Sequence, residues 1–408
     1  MNEGGGELRF GSDDEKRGLT SRWTFLAHGF RVFFLLGPAY AVLAMAFWFL
    51  WLAELAPMAQ GAPALWHGHE MVFGYALAAM AGFLLTASPN WTGAKALSGT
   101  PLAMLALVWL AGRLAMWLSP WLPGLLVAAL DLAFIPALLA ALVGQWFGAK
   151  SKKHLVFVPI LTLIWLGNLI LHLDLVGIDG ADASAGLRLS ILVLVLTIVL
   201  IGGRVVPAFT RSALAGRDKA PPIPSRPHID RAAIALTVVA IVIDALGPET
   251  PYAAAAFLAA AALNAIRFAA WCWWRTWHDP LLWILHAGYA WIVFGLALMG
   301  LAAAGLVEGG AALHSLTVGA VGTMTTAIMS RAILGHSGRP LRAAGPTVAA
   351  YLLILSAGLL RVLPELVWSP APSSTLALAA LAWVAGFAVF TAVHLPMLLR
   401  PRADGRAG

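Results

Sequence analysis

Trp66-His67-Gly68-His69-Glu70 places two imidazoles and a carboxylate in five consecutive residues at the start of an apolar run. Nine further histidines lie elsewhere in the chain. Imidazole is the commonest metal ligand and the side chain that titrates nearest neutral pH. Residues two apart on a helix point in different directions. His67 and His69 could therefore ligate one ion only if the first turn is irregular, which Gly68 would permit. Otherwise one of them faces the bundle and the other does not. Glu70 could be a ligand, a proton acceptor or the partner that holds a histidine tautomer.

These groups sit in a chain built for lipid. Of 408 residues, 61% are hydrophobic and 11% charged, against about a quarter charged in soluble domains. The apolar runs are long and do not alternate, so the expected fold is all-α: a polytopic transmembrane bundle. About twelve runs approach the length that a bilayer requires: Leu26–Ala53, Met71–Ala87, Leu102–Leu118, Leu122–Gln145, Leu155–Leu173, Leu189–Phe209, Ala232–Leu246, Ala253–Trp274, Leu281–Ala304, Ala311–Leu334, Thr347–Leu363 and Thr375–Leu398. Ala232–Leu246 is the shortest. The expected organisation is a disordered tail over 1–25, a first half over 26–210, a Pro-rich linker over 211–230, a second half over 231–400 and a short tail over 401–408.

Lys and Arg alternate from loop to loop. Lys95, Lys152, Lys153, Arg211, Arg226, Arg231, Arg275, Arg339, Arg342 and Arg400 fall on one side. Glu54, Asp174, Asp179, Asp182, Glu249, Glu308 and Glu365 fall on the other. Positive residues mark the cytoplasmic side, so both termini are expected there. The net charge of +7 thus has a topological cause and is not read as nucleic-acid binding. With one cysteine, Cys272, the chain cannot itself form a disulfide, hold an iron–sulfur cluster or offer a Cys-x-x-Cys-His haem attachment.

By helix direction, His67, His69, His172 and His314 fall toward the outer surface. His28, His286 and His394 fall toward the inner half, with His154, His278 and His336 at the inner edge and His228 in the linker. Ionisable groups at membrane depth are costly and read as functional by default. Arg113 and Asp131 lie at similar depth on consecutive antiparallel helices and are expected to pair. Asp244, Asn168 and Asn264 are candidates for hydrogen bonds between helices. Arg204, after Gly202-Gly203, could bind an anionic group such as a haem propionate, or snorkel to a lipid phosphate.

At this point a resemblance emerges. WHGHEMVFGYALAAMAGFLLTASPNWTG from Trp66, GGRVVPAFT from Gly202, HAGYAWIVFG from His286 and HSLTVGAVGTMTTAIMSRAILGHSGRPL from His314 resemble the NnrS family. These are bacterial inner-membrane proteins described as haem- and copper-containing and linked to nitric oxide. The resemblance covers nearly the whole chain. It implies His67, His69, Glu70, Arg204, His286, His314 and His336 as cofactor-binding candidates. The metal-ligand candidates are His69, His286, His314, His67 and His172. The implied cofactors are haem and copper. The implied role is in nitrosative stress, with nitric oxide as ligand and respiratory or denitrification proteins as partners. No flavin, nicotinamide or iron–sulfur motif supplies electrons, so whether the chain is an enzyme stays open. A secondary transporter, built from two halves of about six helices, and an assembly factor for respiratory metalloenzymes are the readings from other classes.

Overall fold

The computed structural model describes residues 24–55, 63–149, 152–215, 223–224, 226–368 and 372–406. The tail expected over 1–25 lies almost wholly outside the described residues, as do 216–222 and 225 of the expected linker. Among the described residues every regular element is helical.

Among the described residues, twelve helical segments follow the predicted runs. They are α1 (Gly29–Leu52), α2 (Pro63–Thr92), α3 (Thr100–Trp117), α4 (Gly124–Gly148), α5 (Lys153–Leu175) and α6 (Ala183–Leu214). The second set is α7 (Pro227–Leu246), α8 (Pro251–Ala269), α9 (Pro280–Ala303), α10 (Gly309–His336), α11 (Gly345–Val367) and α12 (Ser373–Leu399). Among the described residues, eleven segments are long and apolar enough to cross a membrane. The chain is therefore a multi-pass helical membrane protein. The exception is α7, which carries Asp230, Arg231 and Asp244 in 20 residues. Two of those charges are matched within the bundle. Arg267 on α8 donates to Asp230 at 2.7 Å. Arg188 on α6 grips Asp244 through two bonds of 2.7 and 2.5 Å. Ion pairing to both neighbours lets this charged helix stay in the bundle.

Helix starts follow local chemistry. Asp182 accepts from the backbone N–H of Ser184 and Ala185, and Thr250 and Asp279 cap α8 and α9 in the same way. Proline stands in the first turn of α3, α7, α8, α9 and α11, where its missing N–H costs nothing. Inside α4, Pro136 cannot bond the Leu132 carbonyl one turn back. The chain turns out of regular helix at Ala133, and the Trp165 indole of α5 donates to that carbonyl at 3.0 Å. The break lies two residues beyond Asp131.

The most enclosed segments are α2, α6 and α10, with roughly two thirds or more of each span buried. Tight contacts depend on small residues. A Cβ on Gly167 of α5 would lie 2.5 Å from the Gly186 carbonyl oxygen of α6. The sequence pair Gly202-Gly203 has a related cause: a Cβ on Gly203 would lie 1.6 Å from the Arg267 guanidinium.

One buried cation joins the two ends of the bundle's circuit. Arg31, near the start of α1, is wholly buried. Its Nη1 donates to the carbonyls of Met397, Leu398 and Arg400 at 3.3, 2.9 and 2.8 Å. The last carbonyls of α12, which have no partner within the helix, are thus satisfied by a positive charge at the negative end of the dipole. The start of α1 and the end of α12 therefore share one face of the bundle, called here the near face. Substituting Arg31→Met should lower unfolding stability by on the order of 1–3 kcal/mol, the cost of leaving such carbonyls unpaired. Thermal unfolding in detergent reads this. An unchanged midpoint would show that the contact does not hold α12.

Candidate metal site and histidine cavity

Regular α-helix runs from Pro63 to His69, and a π-helical stretch follows over Glu70–Ala76. The irregularity lies after the two histidines, so His67 and His69 diverge. His69 enters a polar cluster among α2, α3, α4 and α5. His67 faces a cavity on the other side of α2.

In the cluster, Asp131 Oδ2 collects three groups: His69 Nε2 at 3.0 Å, His172 Nε2 at 2.9 Å and Asn168 Nδ2 at 2.7 Å. Asn168 and His172 are four residues apart on α5 and so share a face. Arg113 donates to Glu70 Oε1 at 2.7 Å and also to Asp131 Oδ1. His69 Nδ1 meets Glu70 Oε1 at 2.7 Å. All six side chains are buried. Gly112 lets α3 approach: a Cβ there would lie 3.1 Å from both Cα and Oδ1 of Asp131.

The hydrogen-bond geometry assigns protons. Asn168 donates to Asp131 through Nδ2, which turns its Oδ1 toward His69 at 3.1 Å. His69 Nε2 therefore faces two oxygen acceptors and carries hydrogen. The contact between His69 Nδ1 and Glu70 needs another proton, on one atom or the other. The His69–Glu70 unit is then neutral, and His172 donates through Nε2. Arg113 balances Asp131, so the cluster carries no net charge, as a group buried in hydrocarbon requires.

The same atoms could hold a metal ion. Ligand atoms of His69, Asp131 and His172 lie within 4.8 Å of one another, and all three residues are buried. A bound ion would displace the Nε2 protons of the two histidines. Glu70 would then hold His69 through Nδ1, the outer partner that metal-bound histidines normally have.

The cavity lies among α1, α2, α6, α10, α11 and α12 and measures about 380 Å³, a size typical of small-molecule sites. His67 and His314 line it with Arg361 and a largely apolar wall that includes Trp48, Tyr75 and Trp383. The His67 ring stacks on Trp48 with centroids 4.6 Å apart, and its Nδ1 is buried with no partner among the described residues. His314 Nδ1 bonds the Gly310 carbonyl at 2.8 Å. That bond makes Nδ1 the donor and leaves the Nε2 lone pair for a ligand. A second π-helical stretch, Ser315–Gly322, begins right after His314. Tyr75 and Thr325 are hydrogen-bonded, which ties α2 to α10 just below the cavity. π-Helical stretches are rare and concentrate at functional sites.

The remaining candidates lie apart from both sites. His286 on α9 is buried, bonded to Thr210 at 3.0 Å through Nε2, and packed near Phe268 and Trp271. His336 ends α10 at the near face, 5.5 Å from the Phe30 ring. Arg204 is exposed on α6. The expected pairing of Arg113 with Asp131 is present, and Asn264 bonds helices as expected, accepting from Tyr289 at 2.6 Å. By sequence Arg113, Asp131 and Asn168 read as scaffold, whereas in the structure they join His69 and His172. The four-residue spacing of Asn168 and His172 was the available signal. Nothing in the sequence singled out Trp48, Tyr75 or Trp383.

A multi-pass helical bundle with a buried carboxylate–histidine site that could hold a metal, beside a histidine-lined apolar cavity, defines the class of protein. The chain belongs to the NnrS family: the family model described as NnrS protein matches residues 24–402. No curated protein matches it.

The cluster makes a testable demand. Arg113→Met or Asp131→Asn alone leaves an uncompensated buried charge and should cost about 3–5 kcal/mol. The double variant restores balance and should cost less than either. Unfolding of the three variants in detergent checks this, and simply additive losses would contradict the neutral-cluster account.

Proposed function

We propose that this chain is a haem-binding inner-membrane protein of the nitric oxide response, with the haem held in the cavity between α2 and α10. The supporting observation is the cavity itself: two imidazoles from different helices, each with a nitrogen free of other bonds, in an apolar space of about 380 Å³. His314 would hold the haem iron through Nε2, its tautomer set by the Gly310 carbonyl. His67, on Trp48, would offer a second imidazole to the iron or to the nitric oxide. Haem iron supplies reversible binding of small neutral ligands and one-electron chemistry. The chain's own residues exclude water and orient the rings, with Trp48, Tyr75 and Trp383 forming part of the wall. Nitric oxide is small and apolar and can reach such a site from the bilayer.

The His69–Asp131–His172 cluster is proposed as the copper site. Copper accepts imidazole, and Cu(II) stands highest among divalent first-row metals for a given nitrogen and oxygen site. With both imidazoles neutral, Glu70, Asp131 and Arg113 leave one net negative charge, which offsets part of the charge of a bound Cu(II) ion. Both sites lie toward the face opposite the near face. The Lys and Arg distribution supports a cytoplasmic near face, and hence sites toward the periplasm.

Visible spectra of the detergent-purified protein, oxidised and then reduced, together with metal analysis, test both assignments. Expected is a Soret band that shifts on reduction. His314→Ala should lose most of the haem, and His67→Ala should keep it with an altered spectrum. His172→Ala should lower copper and leave the Soret band in place. A featureless spectrum from haem-replete cells would sink the haem reading. Copper unchanged in His172→Ala would sink the copper site.

A further inference from the structure

Among the described residues, Arg361, on α11, is the one arginine or lysine lining the cavity. Its place is built. Arg361 Nη1 donates to Glu365 one turn along α11. Glu365 in turn packs against Gly310 of α10, where a Cβ would come within 2.6 Å of Glu365 Oε1. Gly310 is also the residue whose carbonyl holds His314 Nδ1. The first turn of α10 thus sets His314 and, through Glu365, the guanidinium. Among the described residues Glu365 is the one hydrogen-bond partner of Arg361, so the other donors of the guanidinium fork remain for an anion.

We propose that Arg361 is the anion anchor of this cavity, binding a carboxylate of an amphipathic macrocycle whose apolar body lies against His67 and His314. The position is consistent with that division. Leu52 at the end of α1, Ala64 at the start of α2, Leu187 at the start of α6, and Arg361 near the end of α11 line one end of the cavity. Tyr75, Val321 and Trp383 line it deeper along their helices. A ligand with a charged edge and an apolar body would enter with its charge at the first end. Arg204, the arginine that the sequence offered for this role, is exposed on α6 away from the cavity lining. Arg361 takes the role because guanidinium matches carboxylate in a forked geometry that lysine cannot reproduce.

The inference rests on the haem reading, and the test separates the two. Protein expressed without haem supplementation is titrated with haem and with haem dimethyl ester, which keeps the macrocycle and removes both carboxylate charges. Wild type should prefer haem over the ester by about tenfold to a hundredfold, the range expected for a charge-assisted bond. Arg361→Gln should bind the two equally, with the same Soret position as wild type. Arg361→Lys should recover part of the preference. Gly310→Ala, which displaces Glu365 and leaves Arg361 in the chain, should lower the preference too. Equal binding by wild type, or full preference in Arg361→Gln, would overturn the anchor while leaving haem in the cavity. Failure of wild type to bind either compound would overturn the haem reading and the anchor with it.

Discussion

A buried guanidinium shared between two carboxylates is the constraint on which the first half of the bundle depends. Arg113 reaches both Glu70 and Asp131, on helices either side of its own in sequence. In lipid none of these charges is tolerable alone, so α2, α3 and α4 must meet at that depth. Once they meet, Asp131 Oδ2 becomes the point where His69, His172 and Asn168 converge. The ion triad is therefore both scaffold and site. Its demand for charge balance also limits what the cluster can bind: an added ion must replace protons or bring no more charge than the carboxylates can offset.

The second constraint is the direction of α2. With His69 committed to the cluster, helical geometry turns His67 away from it, into the cavity that His314 also lines. One helix therefore serves two sites. The π-helical stretches after His69 and after His314 extend the parallel between α2 and α10. In each, a glycine five residues past the histidine receives an aromatic ring. A Cβ on Gly74 would meet Tyr40 at 2.3 Å, and one on Gly319 would meet Trp291 at 2.4 Å. The matching His-to-Gly spacing in the sequence has this packing behind it.

Most of the fold was legible because lipid simplifies the problem. Backbone pairing forces helices, and hydrophobic length marks them. All twelve runs became helices, and the shortest, at Ala232–Leu246, proved to be the end of a 20-residue helix. The Arg113–Asp131 pair was legible for the same reason, since matched charges at matched depth have little choice. The grouping of histidines was not. Placement by depth joined His67, His69, His172 and His314 in one outer group, whereas rotation about each helix axis separates them into two sites. Depth follows from residue count, but rotation depends on which neighbours pack, and a hydrophobic all-round helix gives little sign of that. The role open to Arg361 was hidden likewise, because it depends on Glu365 resting against Gly310.

We propose that His67 and His314 face one cofactor in the cavity between α2 and α10. A cryo-EM map of the protein purified from haem-replete cells tests it most directly. A flat density in that cavity, in contact with His314 Nε2, is the expected result. A cavity holding only lipid, or a macrocycle bound instead beside His286 or His336, would contradict it.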